Sequence, residues 1–90
     1  IGSRQNPTPP YPRIAKLRNY QGEVEICAIS DAKGNVVNVE VHKSSGYSML
    51  DKSALKTLQK WKFNIQNLAD AHMDNSKFYR VIVPISFVLS

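Results

Sequence analysis

Val24, Ile26 and Ala28 alternate with Glu23, Glu25 and Cys27, and Val37, Val39 and Val41 alternate with Asn38, Glu40 and His42. A period of two is that of a strand with one face buried. Lys33-Gly34-Asn35 between the runs supplies turn chemistry, so two antiparallel strands are predicted over Gly22–Asp31 and Val36–Lys43. The period then changes. Leu50, Ala54, Leu58 and Trp61 recur at helical spacing with Lys52, Lys56 and Lys60 on the opposite face, an amphipathic helix of about 13 residues. Ser44-Ser45-Gly46 breaks the preceding strand, and Ser48-Met49-Leu50-Asp51 reads as a capping box that opens the helix. The polar stretch 64–77 predicts a loop, with a helical turn around Leu68-Ala69. Phe78–Val88, rich in Val, Ile, Phe and Tyr, predicts a third strand.

Ahead of these elements Asn6-Pro7-Thr8-Pro9-Pro10-Tyr11-Pro12 holds four of the five prolines. Proline fixes φ, lacks an N–H and pushes its predecessor toward extended geometry, so residues 1–12 read as a polyproline-like arm at the end of a linker. Residues 13–90 form the folded domain. Pro12 fits the first position of a short helix through Ile14, Ala15, Leu17 and Tyr20, which Gln21-Gly22 closes. The chain opens on Ile1-Gly2-Ser3, read as an excised domain with Gly2-Ser3 as an expression remnant.

The expected fold is α+β: a three-stranded antiparallel sheet, the Gly22–Asp31 strand central, two helices covering one face. The connection from Val36–Lys43 through the long helix to Phe78–Val88 skips the central strand, with right-handedness as the default. Pro84 lies in the last strand and cannot donate to a ladder, which places that strand at the sheet edge. With position 84 turned outward, Arg80, Ile82 and Ser86 offer their backbone groups to a partner while Val81, Val83 and Ile85 pair inward. Such an edge invites strand addition by an extended peptide.

Ninety residues make one domain with a small core. A hydrophobic content of 42% and a charged content of 21% are those of a globular chain rather than a disordered one. No apolar run approaches the roughly 20 residues of a membrane helix. The formal net charge of +5 invites anionic partners. It raises a small basic nucleic-acid-binding domain as an alternative, but the lysine row lacks the interleaved aromatics that stack on bases and reads as a solvated helix face. No nucleic-acid partner is therefore expected.

Catalytic machinery is absent from the pattern, and the chain is not expected to be an enzyme. His42 and His72 have no second ligand at metal-binding spacing and read as surface histidines, so neither metal nor cofactor is expected. Ser44 and Ser45 lack the nucleophile-elbow glycines, and no phosphate-cradling glycine motif occurs. Cys27 excludes an internal disulfide by being alone. Alternation places it on the less apolar sheet face, a small hydrophobe with no Lys, Arg or His set by sequence to activate it.

The order of these features resembles the TonB C-terminal domain family, from about Pro9 to Val88. Tyr11-Pro12 follows a proline-rich arm and Ala15 stands three residues on. Then come Gly22-Glu23-Val24, Lys33-Gly34-Asn35-Val36, Ser44-Ser45-Gly46, Leu50-Asp51 with Ala54, Trp61-Lys62-Phe63, and Val83-Pro84-Ile85-Ser86-Phe87. Thr8 and Pro10 replace two glutamines of the family's usual arm, and Asn64 replaces a proline. The resemblance implies a periplasmic energy transducer, anchored in the inner membrane by a segment outside this sequence and driven by partners of the ExbB–ExbD type. It implies binding of outer-membrane transporters through their N-terminal TonB box, added as a strand beside Arg80, Ile82, Pro84 and Ser86, with Thr8, Pro9, Pro10, Tyr11 and Pro12 as further contacts. Edge-to-edge pairing of two copies is a competing use of the same edge, and a TolA-like envelope scaffold is the competing family.

Overall fold

The computed structural model describes residues 6–64, 72–73 and 78–89. Its elements run α1 (Arg13–Leu17), β1 (Gly22–Ser30), β2 (Val36–Lys43), α2 (Ser48–Leu58), β3 (His72–Met73) and β4 (Tyr79–Phe87). The sheet order is β2-β1-β4-β3, all neighbours antiparallel. Three long strands with β1 at the centre and two helices give the expected α+β domain. A connection through α2 carries the chain from β2 across β1 to β4.

One sheet face is the core. Val24, Ile26, Ala28 and Ser30 of β1 and Val81, Val83, Ile85 and Phe87 of β4 are buried there, under Ala15 of α1, Leu50, Ala54 and Leu58 of α2, and Trp61. The period-two pattern of β4 is complete: every even residue from Arg80 to Ser86 is exposed. β3 is a strand inside the stretch expected to be a loop, and it lies against Tyr79 and Arg80 on the outer side of β4. From Val81 onward β4 has no outer strand among the described residues. The expected turn at Leu68-Ala69 lies outside the described residues.

Four local expectations are corrected. Pro12 is the residue before α1, not its first, and the chain leaves the helix through Asn19 in the left-handed region (φ 56°) rather than through Gly22, which opens β1. Asparagine tolerates that region because its short side chain bonds locally. Nor is there a capping box on Ser48. The residue before α2 is Tyr47 and makes no side-chain cap. Asp51 reaches further back, accepting the Ser45 N–H at 3.0 Å, the Ser45 hydroxyl at 2.7 Å and the Ser44 hydroxyl. The long helix ends at Leu58, and Trp61 follows it on a turn.

The hairpin turn is built on Asp31. Its carboxylate accepts the N–H groups of Lys33 and Asn35, both at 2.9 Å. Gly34 sits at φ +90° and is crossed by residue 63, whose N–H donates to the Gly34 carbonyl at 2.8 Å. A Cβ there would lie 1.8 Å from the Phe63 oxygen, so only glycine fits.

Candidate peptide-binding edge

Pro84 faces Glu25 in a β1–β4 register that runs from Gly22↔Phe87 to Ser30↔Tyr79 without a bulge. A proline sits in such a ladder at no cost only where the pair is not hydrogen-bonded, so its backbone points away from β1. Parity then turns the N–H and C=O of Arg80, Ile82 and Ser86 outward as well. The pairing of Arg80 with His72 on that outer side agrees with this. Beyond Arg80 the rim carries two donors, at Ile82 and Ser86, and three acceptors, at Ile82, Pro84 and Ser86.

The side chains of these residues lie on the sheet face opposite the helices. Ile82 is 41% exposed, an apolar side chain at the rim. The Ser86 hydroxyl donates to Glu23 Oε2 at 3.1 Å. Arg80 reaches inward, its guanidinium 3.8 Å from Cys27 Sγ. Cys27, in register with Ile82 and Glu40, is only 6% exposed. The cation that sequence order did not place beside this thiol comes from the register: Ile29 faces Arg80, which sets Arg80 diagonal to Cys27.

The arm residues are elsewhere and are largely spoken for by the fold. Asn6 brackets the backbone of Lys62, accepting its N–H at 2.8 Å and donating to its carbonyl at 2.9 Å. The Trp61 indole N–H donates to the Pro7 carbonyl at 2.8 Å, and the Ser53 hydroxyl to the Pro10 carbonyl. Pro9 is buried. Tyr11 packs edge-to-face on Phe87 with centroids 5.3 Å apart, and its hydroxyl donates to the Tyr20 carbonyl. Pro12 is half-buried, while Thr8 and Pro10 remain exposed. The arm therefore crosses the helix layer, away from the outward backbone of β4, though Tyr11 touches the buried side of that strand's last residue. Polar partners such as Trp61 and Ser53 carry no sequence signal for this docking.

A family model described as Gram-negative bacterial TonB protein C-terminal matches residues 7–89. The chain belongs to the TonB C-terminal family. It is 39% identical over its full length to Protein TonB of Xanthomonas campestris pv. campestris, covering 39% of that protein. Protein TonB of Vibrio cholerae is 37% identical over 90% of the chain, and Protein tonB2 of Pseudomonas aeruginosa 35% identical over 99%, the chain covering 32% of each. It thus spans a minor part of the curated relatives it matches. No solved structure matches it. Among the described residues no helix is long and apolar enough to cross a membrane, and no cluster of His, Cys, Asp and Glu is set to hold a metal.

Proposed function

We propose that this chain is the transporter-binding end of a TonB-type energy transducer, a non-enzymatic domain that works in the periplasm. It captures the N-terminal TonB box of outer-membrane transporters as a strand added along β4, and force applied through the rest of the protein is passed to the transporter. In this reading an inner-membrane anchor and ExbB–ExbD-type partners act through a segment outside this sequence. The observation that supports strand addition is the outer side of β4 from Val81 to Phe87, which has no strand beside it among the described residues. Main-chain bonds to Ile82, Pro84 and Ser86 supply affinity, and Ile82 with its flanking side chains supplies selectivity. Thr8 and Pro10, exposed on the arm, are further contact points; Pro9, Tyr11 and Pro12 act by holding the arm in place.

Two proline substitutions test the strand-addition mode. Ile82→Pro removes an outward donor, so the domain stays folded and loses peptide affinity. Val83→Pro removes a bond to β1 and clashes with the central ladder, so the fold itself fails. A thermal melt and a titration with a TonB-box peptide on both variants separate the two effects. Undiminished affinity in folded Ile82→Pro means that peptides bind elsewhere.

A further inference from the structure

Charge is divided between the two layers of the domain. Residues 6–21 and 44–64, which build the arm and the helix layer, contain Arg13, Lys16, Arg18, Lys52, Lys56, Lys60 and Lys62. All of these are exposed. The single carboxylate in those segments is Asp51, which is buried and bonded to Ser44 and Ser45. The described residues of the sheet and its hairpin turn are mixed, with Glu23, Glu25, Asp31 and Glu40 against Lys33, Lys43 and Arg80. The helix layer is thus cationic without an exposed acid to screen it.

Aliphatic side chains protrude from this cationic layer on α1. Ile14 and Leu17 stand three residues apart on α1 and are 50% and 74% exposed, flanked by Arg13, Lys16 and Arg18. Side chains at that spacing share a helix face. Lys56 of α2 and Lys60 of the turn after it wall a cleft of about 340 Å³ that Pro7, Thr8, Pro10 and Thr57 complete. Exposed cations on and after α2, and two protruding aliphatic side chains among the cations of α1, match a surface that is anionic outside and hydrocarbon beneath.

We infer that the helix layer is a second docking surface, for an anionic phospholipid bilayer, independent of the β4 edge. Phosphate headgroups meet Lys52, Lys56 and Lys60, and Ile14 and Leu17 enter the acyl boundary. An acidic protein face would satisfy the cations but leave no reason for exposed Ile14 and Leu17. The edge of β4 stays free in this arrangement, because its outward backbone does not belong to the helix layer.

Vesicle co-sedimentation of the 90-residue chain provides the test. Vesicles of phosphatidylcholine with phosphatidylglycerol added should bind it at low ionic strength, and pure phosphatidylcholine should not. Each Lys or Arg near an anionic surface is worth about fivefold in affinity, so the K52Q/K56Q/K60Q variant should bind on the order of a hundredfold more weakly. Leu17→Ser should lose several-fold while keeping the parent's salt dependence. Circular dichroism on each variant checks the fold, and binding of the unsubstituted chain should itself fall steeply as salt is added. Equal binding to charged and neutral vesicles overturns the proposal, as does undiminished binding by the folded triple variant. Capture of polyglutamate without vesicle binding also overturns it, assigning the face to an acidic protein.

Discussion

The Trp61 indole donates its N–H to the carbonyl of Pro7 at 2.8 Å, joining the end of the long helix to the start of the proline arm across 54 residues of chain. Pro7 has no N–H of its own, and its carbonyl is the group through which a side chain can hold it.

Trp61→Phe keeps most of the ring's burial and deletes that donor. The expected cost is about 1 kcal/mol, the usual net worth of one hydrogen bond, measured by urea unfolding. Limited proteolysis should at the same time cut the variant within the arm faster than the parent. Unchanged stability with unchanged cleavage would mean that Asn6, Ser53 and Tyr11 alone hold the arm.

Two glycines at positive φ make a controlled comparison. Gly34 (φ +90°) has the Phe63 backbone against it, whereas Gly46 (φ +97°) has nothing within 4 Å of an added Cβ. Gly46→Ala should therefore cost only conformational strain, about 1–2 kcal/mol. Gly34→Ala adds a backbone collision and should exceed about 4 kcal/mol, the range reached only by named steric or burial failures. Similar melting temperatures for the two variants would show that residue 63 gives way.

Much of the architecture is legible in the sequence because it rests on burial. The alternation of β1 and the helical recurrence of Leu50, Ala54 and Leu58 are each one-dimensional traces of a buried face. The alternation read over β2 is not, since Val37 and Val41 are exposed. What escapes is set by polar contacts between segments distant in sequence. The packing of Tyr11 on Phe87 depends on where the arm docks, and the approach of Arg80 to Cys27 on strand register, neither of which a single segment encodes. The pattern marks Asp51 as a capping residue, but its partners are Ser44 and Ser45, ahead of the expected box. The pairing of His72 with Arg80 rests on a two-residue strand too short to show periodicity.

Asp31 and Asp51 give the fold an acid limit. Asn35 and Lys33 N–H groups hold the Asp31 carboxyl below its ordinary value of 3.8, the Asn35 backbone bond acting most strongly. For Asp51 burial opposes ionisation, and the bonds from Ser44 and Ser45 outweigh it, so its carboxyl also lies below 3.8. A carboxyl lowered on folding stabilises the native state above its unfolded value, and that stability is lost as pH falls through 3.8 and below. The melting temperature should decline in that range. Asp51→Asn should be less stable than the parent at neutral pH by about 1 kcal/mol, the gap closing in acid as the parent loses the same charge. A gap independent of pH would refute an ionised clasp.

Cys27 is expected to behave as a packing residue. Its thiol is covered by the neighbouring strands, so alkylation by iodoacetamide should be slow in the native protein and rapid after unfolding. Cys27→Ala should cost about 1 kcal/mol and leave peptide affinity unchanged. Lost affinity in the folded variant would give the thiol a role of its own.

Pro84 also lets the rim distinguish foreign from self. A strand from another protein that pairs across position 84 finds one donor missing and still reaches the proline carbonyl. Two copies of this chain pairing across that position bring a proline each, so two donors are missing. In the register symmetric about residue 84 the prolines face each other and the central pair of bonds vanishes. A single imino acid thus penalises self-association about twice as heavily as capture of a guest, while the inner ladder to β1 is left whole.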